Sequence, residues 1–186
     1  MYKLRNTFFL LFAFSLCLIF LSCNNEPQNL VKSPNGKIEI QASESNGNLF
    51  YEIKKEGKVL LNQSQLGFIL KEGDLINNLK ITDIQHSSND EFWDQIWGEE
   101  KTVRNQYNVM KIGVEEQKTS LKFEVIFIAF DDGIGFRYIF PEQKNLNYFT
   151  ILDEITEFNF ANNHKSWSIH YDTPYYEGLY EQKLLS

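Results

Sequence analysis

The sequence predicts an all-β protein, an antiparallel β-sandwich or barrel, on three observations. Short runs rich in β-branched and aromatic residues recur between turn signals from Ser33 onward. Several of these runs alternate apolar and polar residues, the pattern of a half-buried strand. No long stretch carries a helical period, and no internal repeat is visible. The chain has 186 residues, the size of one domain and well short of the roughly 250 that a (β/α)₈ barrel takes. Sixteen Phe and nine Tyr supply the bulk for a packed core.

Residues 1–22 read as an export leader. Lys3 and Arg5 precede the apolar run Phe8 to Leu21, broken only by Ser15 and too short for the roughly 20 residues of a permanent membrane span. The run ends in Phe20-Leu21-Ser22-Cys23, which resembles a bacterial lipobox with Phe in the place that usually holds Leu. Cys23 is therefore the expected lipidation site, and the expected location is the periplasm or outer membrane, on a lipid anchor. An ordinary cleaved signal is the plainer alternative. Residues 23–32 form a polar tether, and 33–186 form the sandwich.

Ser33-Pro34-Asn35-Gly36 is a turn, and Lys37 to Ala42 alternates behind it. Asn46-Gly47 and Glu56-Gly57 are hairpin signals around the strand Leu49 to Lys54, with Val59 to Leu61 following. Leu66 to Leu70 and Leu79 to Ile84 are further short strands. Tyr107 to Val114 and Leu121 to Phe130 come next; in the latter, Leu121, Phe123, Val125 and Phe127 share one face. Asp131-Asp132-Gly133 turns the chain into Gly135 to Phe140, which should pair back antiparallel.

Ser87 to Gln106 breaks the rhythm and reads as a long connection carrying Trp93, Trp97 and five acids. Loops of that length are uncommon unless they bind something or cover an edge. Indole faces beside carboxylates and amides suit a sugar, so Trp97 and Glu99 are the candidate substrate-binding residues. The competing reading has Trp93 and Trp97 plugging one end of the core.

The net charge of −7 disfavours nucleic acid and anionic lipid as partners. Cys17 lies in the leader and Cys23 is the only other cysteine, so no disulfide or thiolate zinc site is expected. His86, His164 and His170 lack ligand spacing, no GxSxG occurs, and Gly133-Ile134-Gly135 lacks the rest of a nucleotide fingerprint. Glycoside hydrolysis needs two carboxyl groups flanking one bond. Glu99, Glu100, Asp153, Glu154 and Glu157 are available, but none is singled out. No catalytic residue is assigned.

A set of motifs carries a more specific resemblance: Ser33-Pro34-Asn35-Gly36-Lys37, Leu66-Gly67-Phe68, Trp97-Gly98-Glu99, and Arg104-Asn105-Gln106-Tyr107-Asn108. Phe130-Asp131-Asp132-Gly133-Ile134-Gly135-Phe136-Arg137-Tyr138, Phe140-Pro141 and Tyr176-Glu177-Gly178-Leu179-Tyr180 follow in order. Together they resemble the N-terminal domain of glycoside hydrolase family 97, exo-acting α-glucosidases and α-galactosidases of polysaccharide-degrading bacteria. The resemblance implies an antiparallel β-sandwich of the large supersandwich type, packed on a catalytic (β/α)₈ barrel that carries the catalytic acids and most ligands of a calcium ion. Glu177 matches the N-terminal domain's donor to that calcium, which needs six to eight oxygens in all. No barrel follows Ser186, and the family's sandwich continues past that point, so an incomplete sandwich with an open sheet edge and an uncovered apolar face is expected. Two other readings are a free-standing sugar-binding lipoprotein stacking on Trp93, Trp97 and Tyr175, and a structural partner of a separate barrel chain.

Overall fold

The computed structural model describes residues 27–169 and 178–185, all of them strand, turn or irregular structure. One sheet is the meander β1 (Leu30–Lys32), β2 (Ile38–Ser45), β3 (Asn48–Lys55) and β4 (Lys58–Leu66), antiparallel in that order. Its hairpins are closed where Asn-Gly and Glu-Gly predict. Asn46 and Gly47 have φ of 53° and 76°, and Glu56 and Gly57 have 50° and 76°, the paired positive values of a two-residue type I′ turn. The strands begin earlier than the polar tether suggests, because Val31 is buried and Leu30–Lys32 pairs with Glu39 to Gln41.

The facing sheet has the order β10-β9-β8-β7, from β7 (Leu79–Asp94), β8 (Thr102–Glu116), β9 (Lys122–Ala129) and β10 (Ile134–Ile139). Alternation dictates what it buries. Phe123, Val125, Phe127 and Ala129 of β9 and Met110, Ile112 and Val114 of β8 turn inward, against Ile38, Ile40 and Ala42 of β2 and Leu49, Tyr51 and Ile53 of β3. Tyr51 sits at the centre, its ring 6.0 Å from Phe127 and 5.4 Å from Phe136. Ile126 and Ile128 of β9 are half-buried on the outer face.

A third sheet has the order β11-β5-β6: β5 (Phe68–Leu70), β6 (Gly73–Leu75) and β11 (Ile151–Glu154). The run Leu66 to Leu70, predicted as one strand, is thus split at Gly67 between two sheets. A Cβ on Gly67 would lie 2.5 Å from the Leu75 carbonyl oxygen, so the crossing needs a residue without one. A separate hairpin joins β12 (Lys165–Ser168) and β13 (Glu181–Leu184). Strand β10 is the outer strand of its sheet, and Tyr148, Ile151, Leu152 and Phe158 are exposed.

Tyr51 also fixes the expected behaviour in alkali. Its phenol donates to the Glu157 carbonyl at 2.8 Å, and burial pushes its pKa up to about 12, against a lowering contribution from Ser64. Burial raises Tyr138 as well. Above pH 10 the unfolded phenols ionise while the folded ones stay neutral, so the unfolded state gains and stability falls. The Tyr51 contribution is whole below pH 10 and gone as the pH passes about 12. Urea midpoints at pH 8 and pH 11 should show a smaller alkaline loss in Tyr51→Phe than in the wild type; equal losses would refute the assignment.

Candidate functional site: an aromatic arm and its root

The stretch from Ser87 to Gln106, predicted as a loop, is instead the outer half of the longest hairpin. Strands β7 and β8 stay paired from Leu79↔Glu116 to Asp94↔Thr102, whereas β8 leaves β9 at Asn108↔Ala129. Beyond that point the hairpin is a two-stranded arm. Ser, Asn, Asp and Glu are poor strand formers and both faces are wet, which hid the alternation.

An unsupported two-stranded ribbon is marginal in water, so its cross-strand pairs matter. Arg104 makes a two-pronged bond to Asp90, Nε to Oδ1 and Nη2 to Oδ2, both 2.7 Å. The same guanidinium lies 5.4 Å from the centre of the Phe92 ring. Asn105 donates to Glu91 at 2.8 Å, Thr102 Oγ1 donates to Asp94 at 2.7 Å, and the tip is closed by the Gln95 N–H on the Lys101 carbonyl at 2.8 Å. The Arg104 bond holds the Asp90 carboxyl below its usual range, and Asp90 in turn raises Arg104.

The tip presents Ile96, Trp97 and Glu99 to solvent. Trp97 is 85% exposed and Trp93 47%, so neither plugs the core. The sequence-predicted pair Trp97 and Glu99 is therefore brought to one exposed tip. Near the arm's root, Lys32, His86, Ser88 and Asn108 line a shallow open cleft of about 370 Å³. His86 is engaged there by the Gln28 carbonyl at 2.7 Å.

The root is where motifs far apart in sequence meet. Asp131 Oδ1, in the turn after β9, accepts the Asn35 backbone N–H at 2.8 Å, joining the two facing sheets. Asn35 Oδ1 in turn accepts from Ser33 Oγ and the Lys37 N–H, and Ser33 is buried. Tyr107 packs its ring 5.1 Å from Phe130, and Asn108 donates to the Lys32 carbonyl at 2.8 Å. Sequence reasoning named these residues as motifs but not as neighbours, since 96 positions separate Asn35 from Asp131.

Other acids turn out to be structural or solvated. Glu157 accepts the Gln65 N–H at 2.9 Å, Glu154 accepts from Thr156, and Asp153 is exposed on β11. Among the described residues no group of three or more His, Cys, Asp or Glu could hold a metal. Cys23, Tyr175 and Glu177 lie outside the described residues.

Comparisons with known proteins agree on one family. The family described as Glycosyl-hydrolase 97 N-terminal matches residues 31–186. A glycoside hydrolase family 97 enzyme from a Pseudoalteromonas species, solved in complex with acarbose, superposes with a TM-score of 0.77 at 35% identity over 83% of this chain. The same enzyme in complex with panose gives 0.76 at 35% identity over 82%. A β-arabinopyranosidase gives 0.71 at 26% identity over 82%. This chain spans about a quarter of their length: 24% of the Pseudoalteromonas chains and 26% of the β-arabinopyranosidase. Its sandwich, its motifs and this match over nearly all described residues place the chain in the glycosyl hydrolase 97 N-terminal domain family.

Proposed function

We propose that this chain is the sandwich that packs on the (β/α)₈ barrel of an exported α-glycosidase, in the same polypeptide or a separate one, and helps complete its sugar site. The observation that carries the reading is the aromatic arm. Family membership supports a glycoside hydrolase as the enzyme the domain serves, and the arm offers Trp97 and Glu99 where an indole face can stack on a pyranose and a carboxylate can accept hydrogen bonds from its hydroxyls. The relatives solved with acarbose and panose support an oligosaccharide as the ligand class.

Calcium belongs to the whole enzyme in this reading. The described residues do not fit it by themselves, since they hold no cluster of three donors. Glu177 would supply one oxygen to a site completed by the barrel, and Cys23 would carry the lipid that keeps the protein at the membrane. Labelling with radioactive palmitate should mark the wild type and not Cys23→Ala.

The chain alone should release no p-nitrophenol from α-glucosyl or α-galactosyl substrates, with or without calcium. Turnover would sink the non-catalytic reading. The exposure of both arm tryptophans also favours a second reading, a free-standing sugar-binding module. Calorimetric titration of the chain with malto-oligosaccharides separates the two: heat that vanishes in Trp97→Ala supports the module, and no heat supports a domain that meets sugar only beside its barrel.

A further inference from the structure

The chain is fastened to the sandwich from its first described residues onward. The Pro27 carbonyl accepts the Leu30 N–H at 3.1 Å. Asn29 is bonded both ways to Ala42: its Nδ2 donates to the Ala42 carbonyl at 2.6 Å, and its own carbonyl accepts the Ala42 N–H at 3.0 Å. Between them the Gln28 carbonyl meets His86 Nε2 at 2.7 Å; a carbonyl only accepts, so that nitrogen carries the hydrogen. Leu30–Lys32 then pairs with β2, and Val31 is buried. Of the polar tether expected over residues 23–32, only residues 24–26 separate Cys23 from the first held residue.

Four peptide steps join Cys23 to Pro27, a reach of no more than about 14 Å at full extension. A lipid on Cys23 holds that residue where acyl chains give way to headgroups, and the headgroup layer takes up roughly half of the reach. A domain of this size has a radius of gyration of about 15 Å and is roughly 40 Å across, so the tether is too short for the body to turn its far side to the bilayer. The side that faces lipid is the one where the chain enters. His86 lies on β7 and Leu30–Lys32 is β1, each the outer strand of its sheet, so the entry stands at the β1/β7 edge. Strand β4 bounds the other side of the β1 sheet, three strand spacings or about 14 Å away.

We propose that the β1/β7 edge around Gln28, His86 and Ser87 is the membrane-facing surface of the lipidated chain, kept beside the headgroups by covalent reach and not by charge. The proposal rests on the reading that Cys23 carries lipid. A net charge of −7 is not drawn to an anionic leaflet, so a zwitterionic surface serves as the partner. The arm is a continuation of the same β7, which sets its root beside the membrane and carries Trp97 and Glu99 at the outer end of a hairpin based there.

The test uses the full lipidated chain in phosphatidylcholine vesicles, with a donor dye on one engineered cysteine and an acceptor dye on the lipid headgroups. With Cys17 in the leader and the Cys23 thiol blocked by its lipid, the engineered thiol is the one that takes the dye. Ser87→Cys lies on the proposed surface and Gln63→Cys on β4; both positions are exposed, and Ser88→Cys stands in if Ser87→Cys does not fold. Energy transfer should be roughly twofold greater from Ser87→Cys than from Gln63→Cys, given the strand spacings between them. A flexible Gly-Ser insert of roughly twenty residues between Glu26 and Pro27 should remove the difference, since it lets the body turn. Equal transfer with the native tether, or a difference that survives the insert, would overturn the proposal. Palmitate labelling reads the anchor separately. A chain that takes no palmitate refutes lipid on Cys23 and this surface with it, whereas a labelled chain with equal transfer refutes the surface alone.

Discussion

Gly67→Ala should destabilise the sandwich by about 3 kcal/mol, the upper end of what overpacking by one methyl group costs. The added Cβ would sit 2.5 Å from the Leu75 carbonyl oxygen, with the Ile155 side chain at 3.1 Å and 3.3 Å on another side. Ile155 could turn aside. The carbonyl cannot, because Leu75 is fixed by pairing with Phe68, the residue immediately after the glycine. Gly67 also accepts the Ile155 N–H at 3.0 Å, so any retreat of its backbone loosens the chain's return past β4. Relief must therefore come from moving the crossing between the two sheets, with Leu66 buried on one side and Phe68 on the other. Gly133→Ala is the matched control, since its Cβ would meet nothing within 4 Å. Urea midpoints should separate the two variants clearly; a Gly67→Ala midpoint equal to that of Gly133→Ala would mean the crossing is plastic.

That glycine illustrates what the sequence makes legible and what it does not. Strands with one buried face are readable, because burial imposes alternation: Phe123, Val125 and Phe127 were assignable to the core before any coordinates. Two-residue turns are readable because Asn46-Gly47 and Glu56-Gly57 leave few alternatives. The arm was missed because its residues face water on both sides, so no period is imposed on Ser87 to Gln106. The split at Gly67 was missed because an apolar run looks the same whether it serves one sheet or two. The root was missed for a different reason. The bond from Asn35 to Asp131 depends on how two sheets face each other, and nothing local to either residue encodes it. The resemblance identified those motifs as shared without explaining them. Their contacts supply a physical reason, since they fasten the arm's root to the body.

Phe127→Ala should cost about 3–5 kcal/mol, the range for emptying a buried aromatic site. The ring is fully buried and lies 6.0 Å from Tyr51 and 5.9 Å from Phe136, so the cavity would open at the centre of the sandwich. Little could collapse into it, because Tyr51 is held by its bond to the Glu157 carbonyl. Phe127→Leu, which keeps most of the volume, should lose far less. Trp97→Ala removes a still larger side chain and should change the melting temperature hardly at all, as expected for an exposed residue that packs on nothing. A marked fall in melting temperature for Trp97→Ala would revive the reading in which it seals the core.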